Sequence, residues 1–274
     1  MPAAFSLAAG LSWGTSDFSG GYAARRSDAF LVTLLSHVGG FVLMLTLALG
    51  THADLPSRSS QLWAAAAGLS GGAALIIFYR ALSQGMGITA PVAAVTGAAI
   101  PAVFTMMTRG LPGALAMFGF LLAGFGIWLI SRPDGSGDHR GILTAVLAGV
   151  GFSGFFICIS QTGDSSVLWS SVFSRIASLL FVAAIVLVRR HWSPVRRSDA
   201  MIAVFAGCLD VSGTALFIRA AQSGRLDSVV VLSSLYPALT VLLARFFLEE
   251  EFTRLKTVGI VAALAAVPLI ALQM

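Results

Sequence analysis

Charged residues are scarce in this sequence of 274 residues, since Asp, Glu, Lys and Arg together make up 11% of it. Ordinary soluble proteins carry roughly 25%, because Asp, Glu, Lys and Arg lie mostly at the water-exposed surface. Apolar residues make up 57% of the chain, and its mean hydropathy is +0.89. This composition excludes a soluble protein of this size and predicts an integral membrane protein.

The sequence also leaves little room for a domain outside the membrane. Its apolar residues fall into ten segments, and the length of each is close to that of a membrane-spanning helix, which needs about 20 residues. Strands of a membrane barrel would be about ten residues long and would alternate, so we predict an all-α membrane protein with ten transmembrane helices. No Lys or Arg precedes the first segment, so we expect it to be a retained helix rather than a signal peptide. The predicted segments are 3–23, 29–49, 61–83, 88–108, 112–131, 141–162, 167–188, 199–222, 228–248 and 253–272.

Several sequence motifs of known chemistry are absent. The chain has no GxxxxGK[ST] loop for ATP and no HExxH motif of zinc proteases. Cys158 and Cys208 lie within apolar segments, where we expect packed free thiols and neither a disulfide nor a metal site. The 16 arginines and one lysine are scattered at segment ends, which is typical of membrane topology rather than of nucleic-acid binding. We therefore expect no cofactor, no metal and no nucleic acid, and we disfavour an enzyme.

The chain repeats itself at a distance of 139 residues. Residues 59–85 align with residues 198–224, and eight of these 27 positions are identical. We therefore predict two five-helix repeats, residues 1–136 and 137–274, around a central cavity. Because five is odd, the second repeat enters the membrane from the opposite side. Such inverted repeats are typical of secondary transporters.

Basic residues favour one side of this predicted topology. The odd-numbered connections carry 12 Lys and Arg residues and the even-numbered ones carry four, while Arg175 lies within a segment. Basic loops lie in the cytoplasm, so we expect the odd-numbered connections there and both termini outside.

Several short motifs, taken in order, resemble one known family. They are Leu11-Ser12-Trp13-Gly14, the Phe-Tyr-Arg-Ala-Leu run at 78–82, a proline in the fourth segment, and Glu249-Glu250-Glu251-Phe252-Thr253 followed by Gly259. Together with the repeat, they resemble the EamA-type transporters of the drug/metabolite transporter (DMT) superfamily. The resemblance implies ten helices in two repeats and transport of small metabolites, which range from amino acids to drugs. The first half departs from the family's pattern, since His37 stands where the second half has Arg175.

Two pairs of polar residues within the segments are candidates for substrate binding or coupling. Charges inside a span cost about 2.5–3.5 kcal/mol at its centre, so they need a partner or a function. Arg175 and Asp210 lie at depths of about 12 and 18 Å at 1.5 Å per residue, and we expect them to pair, either as a static tie or as a site whose pairing changes. Asp17 and His37 lie at similar depths and would suit a proton relay. A hydrogen-bonded structural role is the alternative for His37.

Three aromatic residues and two arginines complete the candidate site. Trp13, Tyr79 and Tyr236 are expected to line a cavity for a hydrophobic or aromatic substrate, with interfacial anchoring as the alternative, above all for Tyr79. Arg80 and Arg219 are equivalent in the two repeats and are expected near opposite faces. Three roles are open for them there: they could hold loops that act as gates, attract a substrate carboxylate, or extend to the lipid headgroups.

Two prolines are expected to interrupt helices. Pro101 and Pro237 lie in the fourth and ninth segments. Breaks at these residues would free backbone carbonyls, which neighbouring helices or cavity water would have to satisfy.

These features favour a secondary transporter, an exporter of amino acids or related hydrophobic or aromatic compounds that works by alternating access in a bacterial inner membrane. Its partners would be a small-molecule substrate, the lipid bilayer and, if transport is coupled, protons. It would act as a monomer or homodimer. The alternatives are a channel, a facilitative or exchange carrier without proton coupling, and a membrane-embedded enzyme.

Overall fold

The computed structural model describes residues 1–84, 86–130, 140–189, 194–248 and 253–273, and all regular secondary structure in these ranges is helical. The helices are α1 (Pro2–Ala24), α2 (Ala29–Gly50), α3 (Arg58–Gln84), α4 (Met86–Arg109), α5 (Ala114–Ile130), α6 (Arg140–Ser160), α7 (Val167–Arg189), α8 (Arg197–Ser223), α9 (Leu226–Ser233), α10 (Tyr236–Leu248) and α11 (Arg254–Ala271). The predicted junction between the halves and the Glu249–Glu251 motif lie outside the described residues.

The helices follow the ten predicted segments closely. Nine segments each form one helix, with ends that agree to within a few residues. The ninth forms two helices, α9 and α10. In the described ranges, eight helical stretches are long and apolar enough to cross a membrane, counting Leu226–Phe247 as one, and α5 is a shorter apolar helix. The chain is therefore a multi-pass, all-helical membrane protein.

The predicted break in the ninth segment is present, three residues before Pro237. A turn at Ser234 and Leu235 ends α9, and Pro237 lies in the first turn of α10. Proline suits this position because the first N–H groups of a helix have no intrahelical acceptor. The break brings irregular backbone into the interior of the bundle.

The predicted break at Pro101 is wrong, since α4 continues through this residue. A proline within a helix leaves the carbonyl four residues earlier without its donor, and here this is the carbonyl of Gly97. Ser153 of α6 donates to that oxygen over 3.2 Å and lies 3.1 Å from the carbonyl oxygen of Thr96. A serine of the neighbouring helix therefore places a donor within hydrogen-bond distance of the carbonyl that Pro101 leaves without its N–H, and α4 remains continuous.

The main helix contacts join the first half of the sequence to the second. α1 packs against α8, α2 against α7 and α8, α3 against α6 and α7, and α5 against α11. In several of these pairs, a hydroxyl group of one helix donates to a backbone carbonyl of the other. Ser16 donates to Ala206 and Ser70 to Gly151, both over 2.8 Å. Small residues and such hydrogen bonds are the usual means of joining helices in a membrane, so the interior of the bundle lies between the two halves.

Two glycines allow the closest helix contacts. A Cβ atom at Gly207 of α8 would lie 1.8 Å from the backbone oxygen of Ser36 in α2, and one at Gly68 of α3 would lie 2.0 Å from that of Ser174 in α7. No carbon atom can approach so closely. Glycine at these two positions therefore sets the distance of α2 from α8 and of α7 from α3. The helices α2 and α7 carry His37 and Arg175.

We expect Gly207→Ala to force α2 and α8 apart and to lower the melting temperature of the detergent-solubilised protein by several degrees, because overpacking costs about 1–3 kcal/mol. Gly124→Ala is the matched control, since a Cβ atom at Gly124 would meet nothing within 4 Å and alanine favours a helix. Equal melting temperatures for the two variants would contradict the close contact.

Candidate functional site

A small cavity lies in the interior of the bundle, between the two halves of the sequence. Its volume is about 60 Å³, which holds a few water molecules but is below the roughly 300–1,000 Å³ of pockets for drug-sized ligands. Residues of α1–α4, α6–α8 and the break between α9 and α10 line it. Its polar lining residues are Asp17, His37, Ser174, Arg175, Ser178, Asp210, Thr214 and Ser234, and its aromatic ones are Trp13, Phe152, Phe155, Phe156 and Tyr236.

An ion pair between α7 and α8 lies in the wall of this cavity. Arg175 Nη2 contacts Asp210 Oδ2 and also donates to Thr214 Oγ1 over 3.3 Å. The two charged side chains are 7% and 15% exposed. The predicted pairing of Asp210 with Arg175 is therefore confirmed. Removing one partner of such a pair is costly, because the other charge then remains buried without a counter-charge.

His37 of α2 contacts the same guanidinium group. Arg175 Nη1 lies 2.9 Å from His37 Nδ1. Because arginine has only donors, Nδ1 accepts this bond, and the ring is neutral with its proton on Nε2. The structure places His37 beside Arg175 instead of pairing it with Asp17, because α2 packs mainly against α7 and α8 and little against α1.

Asp17 of α1 is the third charged residue that lines the cavity. Its side chain is buried, and no hydrogen bond or ion pair joins it to another residue within the described ranges. Arg175 is already paired with Asp210. Asp17 therefore gives the cavity a carboxyl group without a basic partner in the described part of the chain.

Three buried polar atoms of the cavity residues also lack partners within the described ranges. They are His37 Nε2, Arg175 Nε and Ser234 Oγ. An unpaired buried donor costs about 1–3 kcal/mol, and native proteins seldom leave one unsatisfied. With Asp17, these atoms offer donors suited to an anionic group and a carboxyl acceptor suited to a cationic one.

Trp13 and Tyr236 both line the cavity. Trp13 Nε1 donates to the backbone oxygen of Asp210 over 3.0 Å. The indole ring also packs against Phe156 and Phe217, with 5.6 Å between ring centres in each case. These contacts fix Trp13 as part of the wall and hold the backbone that carries Asp210.

Tyr79 lies outside the cavity. It is fully buried, and a Cβ atom at Gly20 of α1 would lie 2.2 Å from its phenol oxygen. Tyr79 therefore lies neither in the wall of the central cavity nor at the surface of the bundle. The small residue at position 20 opens space for the ring between α1 and α3.

Arg80 and Arg219 also lie away from the cavity, and both are exposed. The Arg80 guanidinium lies 5.5 Å from the ring centre of Phe30, and Arg219 Nη1 donates to Gln222 Oε1 over 3.4 Å. Their exposure fits contact with lipid headgroups, and neither residue contacts the charged cluster.

Sequence analysis missed the aromatic wall on α6 and the serines near the ion pair. Phe152, Phe155 and Phe156 have the i, i+3, i+4 spacing that places them on one helix face, and this spacing is a signal that sequence analysis can use. Ser178 Oγ lies 3.4 Å from His37 Nδ1, and Ser234 lies in the turn between α9 and α10. Serines occur throughout these helices, so no sequence signal distinguishes these two.

Comparisons with known proteins agree with this architecture. A solved crystal structure has the same fold, with a TM-score of 0.76 at 17% identity over 99% of this chain and 96% of that one. An uncharacterized protein of Methanocaldococcus jannaschii is 29% identical over 134 residues, which are 48% of this chain and 94% of that protein. This relative is therefore about half as long as the present chain.

The sequence profile of one family matches the second half of the chain. The match covers residues 139–272 and is to the EamA-like transporter family. Residues 139–272, which supply Arg175 and Asp210 to the cavity, therefore match the EamA-like transporter family, which is part of the drug/metabolite transporter superfamily.

Proposed function

We propose that this protein is a secondary transporter that exports amino acids or related hydrophobic or aromatic compounds by alternating access. The observation that carries the proposal is the central cavity, where a charged cluster and unpartnered donors are buried within the helices. Charged residues at such depth are costly, and they mark substrate or ion pathways in membrane proteins. The family match supports transport, and export is part of the proposal.

The proposed mechanism uses two inverted halves, residues 1–136 and 137–274. The packing supports this, because the first helix of each half packs against the third helix of the other half. These contacts are α1 with α8 and α6 with α3. The glycine contacts follow the same exchange: Gly207 and Gly68 are equivalent, and each lies against a serine of the second helix of the other half. The half-length relative from Methanocaldococcus jannaschii supports a half as a structural unit.

The charge of the cavity favours a substrate with both a cationic and an anionic group. In this proposal, the ammonium group of an amino acid binds Asp17, which has no basic partner in the described ranges. Its carboxylate binds the free donors of Arg175 and His37, and its side chain packs against the aromatic wall on α6. Because the cavity is small, the helices move apart to admit the substrate.

The substrate carboxylate would compete with Asp210 for the Arg175 guanidinium. Substrate binding would then weaken the ion pair that joins α7 to α8. In this way, binding would be coupled to a change in the conformation of the protein. If protons are coupled to transport, the carboxyl groups of Asp17 and Asp210 are the groups that would carry them. The same proposal locates the protein in a bacterial inner membrane as a monomer or homodimer, with the arginine-rich connections in the cytoplasm.

Counterflow in liposomes containing the purified protein tests the proposed function. We expect saturable counterflow of hydrophobic amino acids, because a carrier exchanges bound substrate across the membrane. Absence of counterflow for a full panel of amino acids, nucleosides and organic amines would overturn transport of these classes. Flux without saturation or counterflow would instead indicate a channel.

Replacing Asp210 tests whether the ion pair takes part in transport. We expect Asp210→Asn to reduce counterflow to less than about a tenth while the protein still folds, since hydrogen bonds to charged groups contribute about 1.5–3 kcal/mol. If Asp210 only neutralises Arg175, the double variant Asp210→Asn/Arg175→Gln should recover transport, and that recovery would refute a direct role. Arg219→Gln, at an exposed site away from the cavity, is the control and should transport normally.

Replacing Asp17 tests the proposed recognition of the ammonium group. We expect Asp17→Asn to raise the KM for amino acids about tenfold, by the same estimate for a charged hydrogen bond, and to remove the preference for amino acids over their N-acetyl derivatives. The matched control is Asp164→Asn, because Asp164 is exposed and does not line the central cavity. An unchanged preference in a folded Asp17→Asn protein would exclude this role.

A further inference from the structure

A hydroxyl contact joins the two halves at one end of the bundle. Ser60 lies in the first turn of α3. Ser165, in the connection between α6 and α7, donates to Ser60 Oγ over 2.7 Å, and Ser60 Oγ donates to the backbone oxygen of Thr162 over 3.1 Å. We call these contacts of Ser60 the serine latch.

A charged contact joins the two halves at another connection. Asp199 lies in the first turn of α8 and is 0% exposed. Ser27, in the connection between α1 and α2, donates to Asp199 Oδ2 over 3.0 Å, and Arg26 Nε lies 3.5 Å from Oδ1. We call these contacts of Asp199 the aspartate latch.

The two latches occupy corresponding positions in the sequence. The shift of 139 residues that aligns the repeats places Ser60 on Asp199, and a shift of 138 residues places Ser27 on Ser165. Each latch joins the start of the third helix of one half to the first connection of the other half. Because α3 and α8 begin at opposite ends of the antiparallel bundle, the latches close opposite ends of the path through the cavity.

The latches differ in strength. Charge-assisted hydrogen bonds are roughly twice as strong as neutral ones, and Asp199 accepts from a hydroxyl and faces a guanidinium. The serine latch joins neutral groups only. Of the two latches, the one at Asp199 is therefore the stronger contact.

Cavities near the serine latch come close to the central cavity. Two adjoining cavities of about 560 and 340 Å³ lie at the serine-latch end, and Thr162 of that latch lines the larger one. Ile159 and Ile218, each 1% exposed, also line the larger cavity. Ile159 lies three residues from Phe156 of the central cavity, or about 4.5 Å at 1.5 Å per residue. An apolar layer about one helical turn thick therefore separates the central cavity from this end.

We propose that Asp199 is a gate residue, and that the aspartate latch must break before the central cavity opens at its end. The inference rests on the proposed alternating access. It adds a bias: the unequal latches favour the conformation that is closed at Asp199 and open, or nearly open, at Ser60. Asp199 lies far from the charged cluster, so it controls access to the cavity without touching the substrate.

Labelling of reporter cysteines tests this bias without any transport assay. Both reporters are made in a Cys158→Ala/Cys208→Ala background. Ala203→Cys places a thiol on α8, one helical turn after Asp199, and Ala64→Cys places one on α3, one helical turn after Ser60. These alanines are equivalent in the repeat, and both are 0% exposed. We expect Asp199→Ser, which copies the residue of the serine latch, to speed labelling of Ala203→Cys by a hydrophilic thiol reagent about tenfold, since a charged hydrogen bond contributes about 1.5–3 kcal/mol. Labelling of Ala64→Cys should not increase.

Unchanged labelling of Ala203→Cys in a folded Asp199→Ser protein would overturn the proposal. Ser27→Ala, which removes one donor and keeps the carboxylate, is the milder variant if Asp199→Ser fails to fold, and it should speed labelling in the same direction. This readout also decides the proposal if no substrate is found, so its failure is distinct from that of the proposed function.

Cross-linking tests whether each latch has to open. We expect a disulfide in Ser27→Cys/Asp199→Cys, or in Ser60→Cys/Ser165→Cys, to stop counterflow, and a reducing agent to restore it. Full transport with the aspartate latch cross-linked would show a static tie and would overturn the role of Asp199 as a gate.

Discussion

The buried guanidinium group of Arg175 is the interaction on which the central cavity depends. It contacts Asp210, Thr214 and His37, so one side chain of α7 joins α8 and α2. A cation at this depth is tolerable only with such partners. The close contact at Gly207 holds α2, which carries His37, against α8, and the one at Gly68 holds α7 against α3. Close packing at glycine and pairing of a buried arginine are thus parts of one arrangement.

The helices could be predicted from the sequence because each apolar segment carries its own signal of length and hydropathy. The pairing of Arg175 with Asp210 was also accessible, since depth within a segment follows from the rise of a helix. Tyr79 could not be placed in this way. Its position depends on the space beside Gly20 in another helix, and sequence spacing within α3 contains no information about that neighbour.

Pro101 and His37 show that hydrogen-bond partners supplied by other helices are equally hard to predict from the sequence. Whether a proline interrupts a helix depends on a donor from elsewhere, and Ser153 of α6 supplies it. Similarly, the partner of His37 depends on which helix lies against α2, and that helix is α7 rather than α1. Local sequence states what a group needs, and tertiary packing decides which residue provides it.

The hydroxyl group of Ser153 has a mechanical consequence. It has one hydrogen atom but lies within 2.9–3.2 Å of three carbonyl oxygens, those of Thr96, Gly97 and Gly149. Two of these oxygens lie on α4 and the third on α6 itself, so the hydroxyl is not committed to a single acceptor on α4. A small displacement of α6 along α4 would therefore leave it a carbonyl to donate to, and this contact would resist such a displacement only weakly.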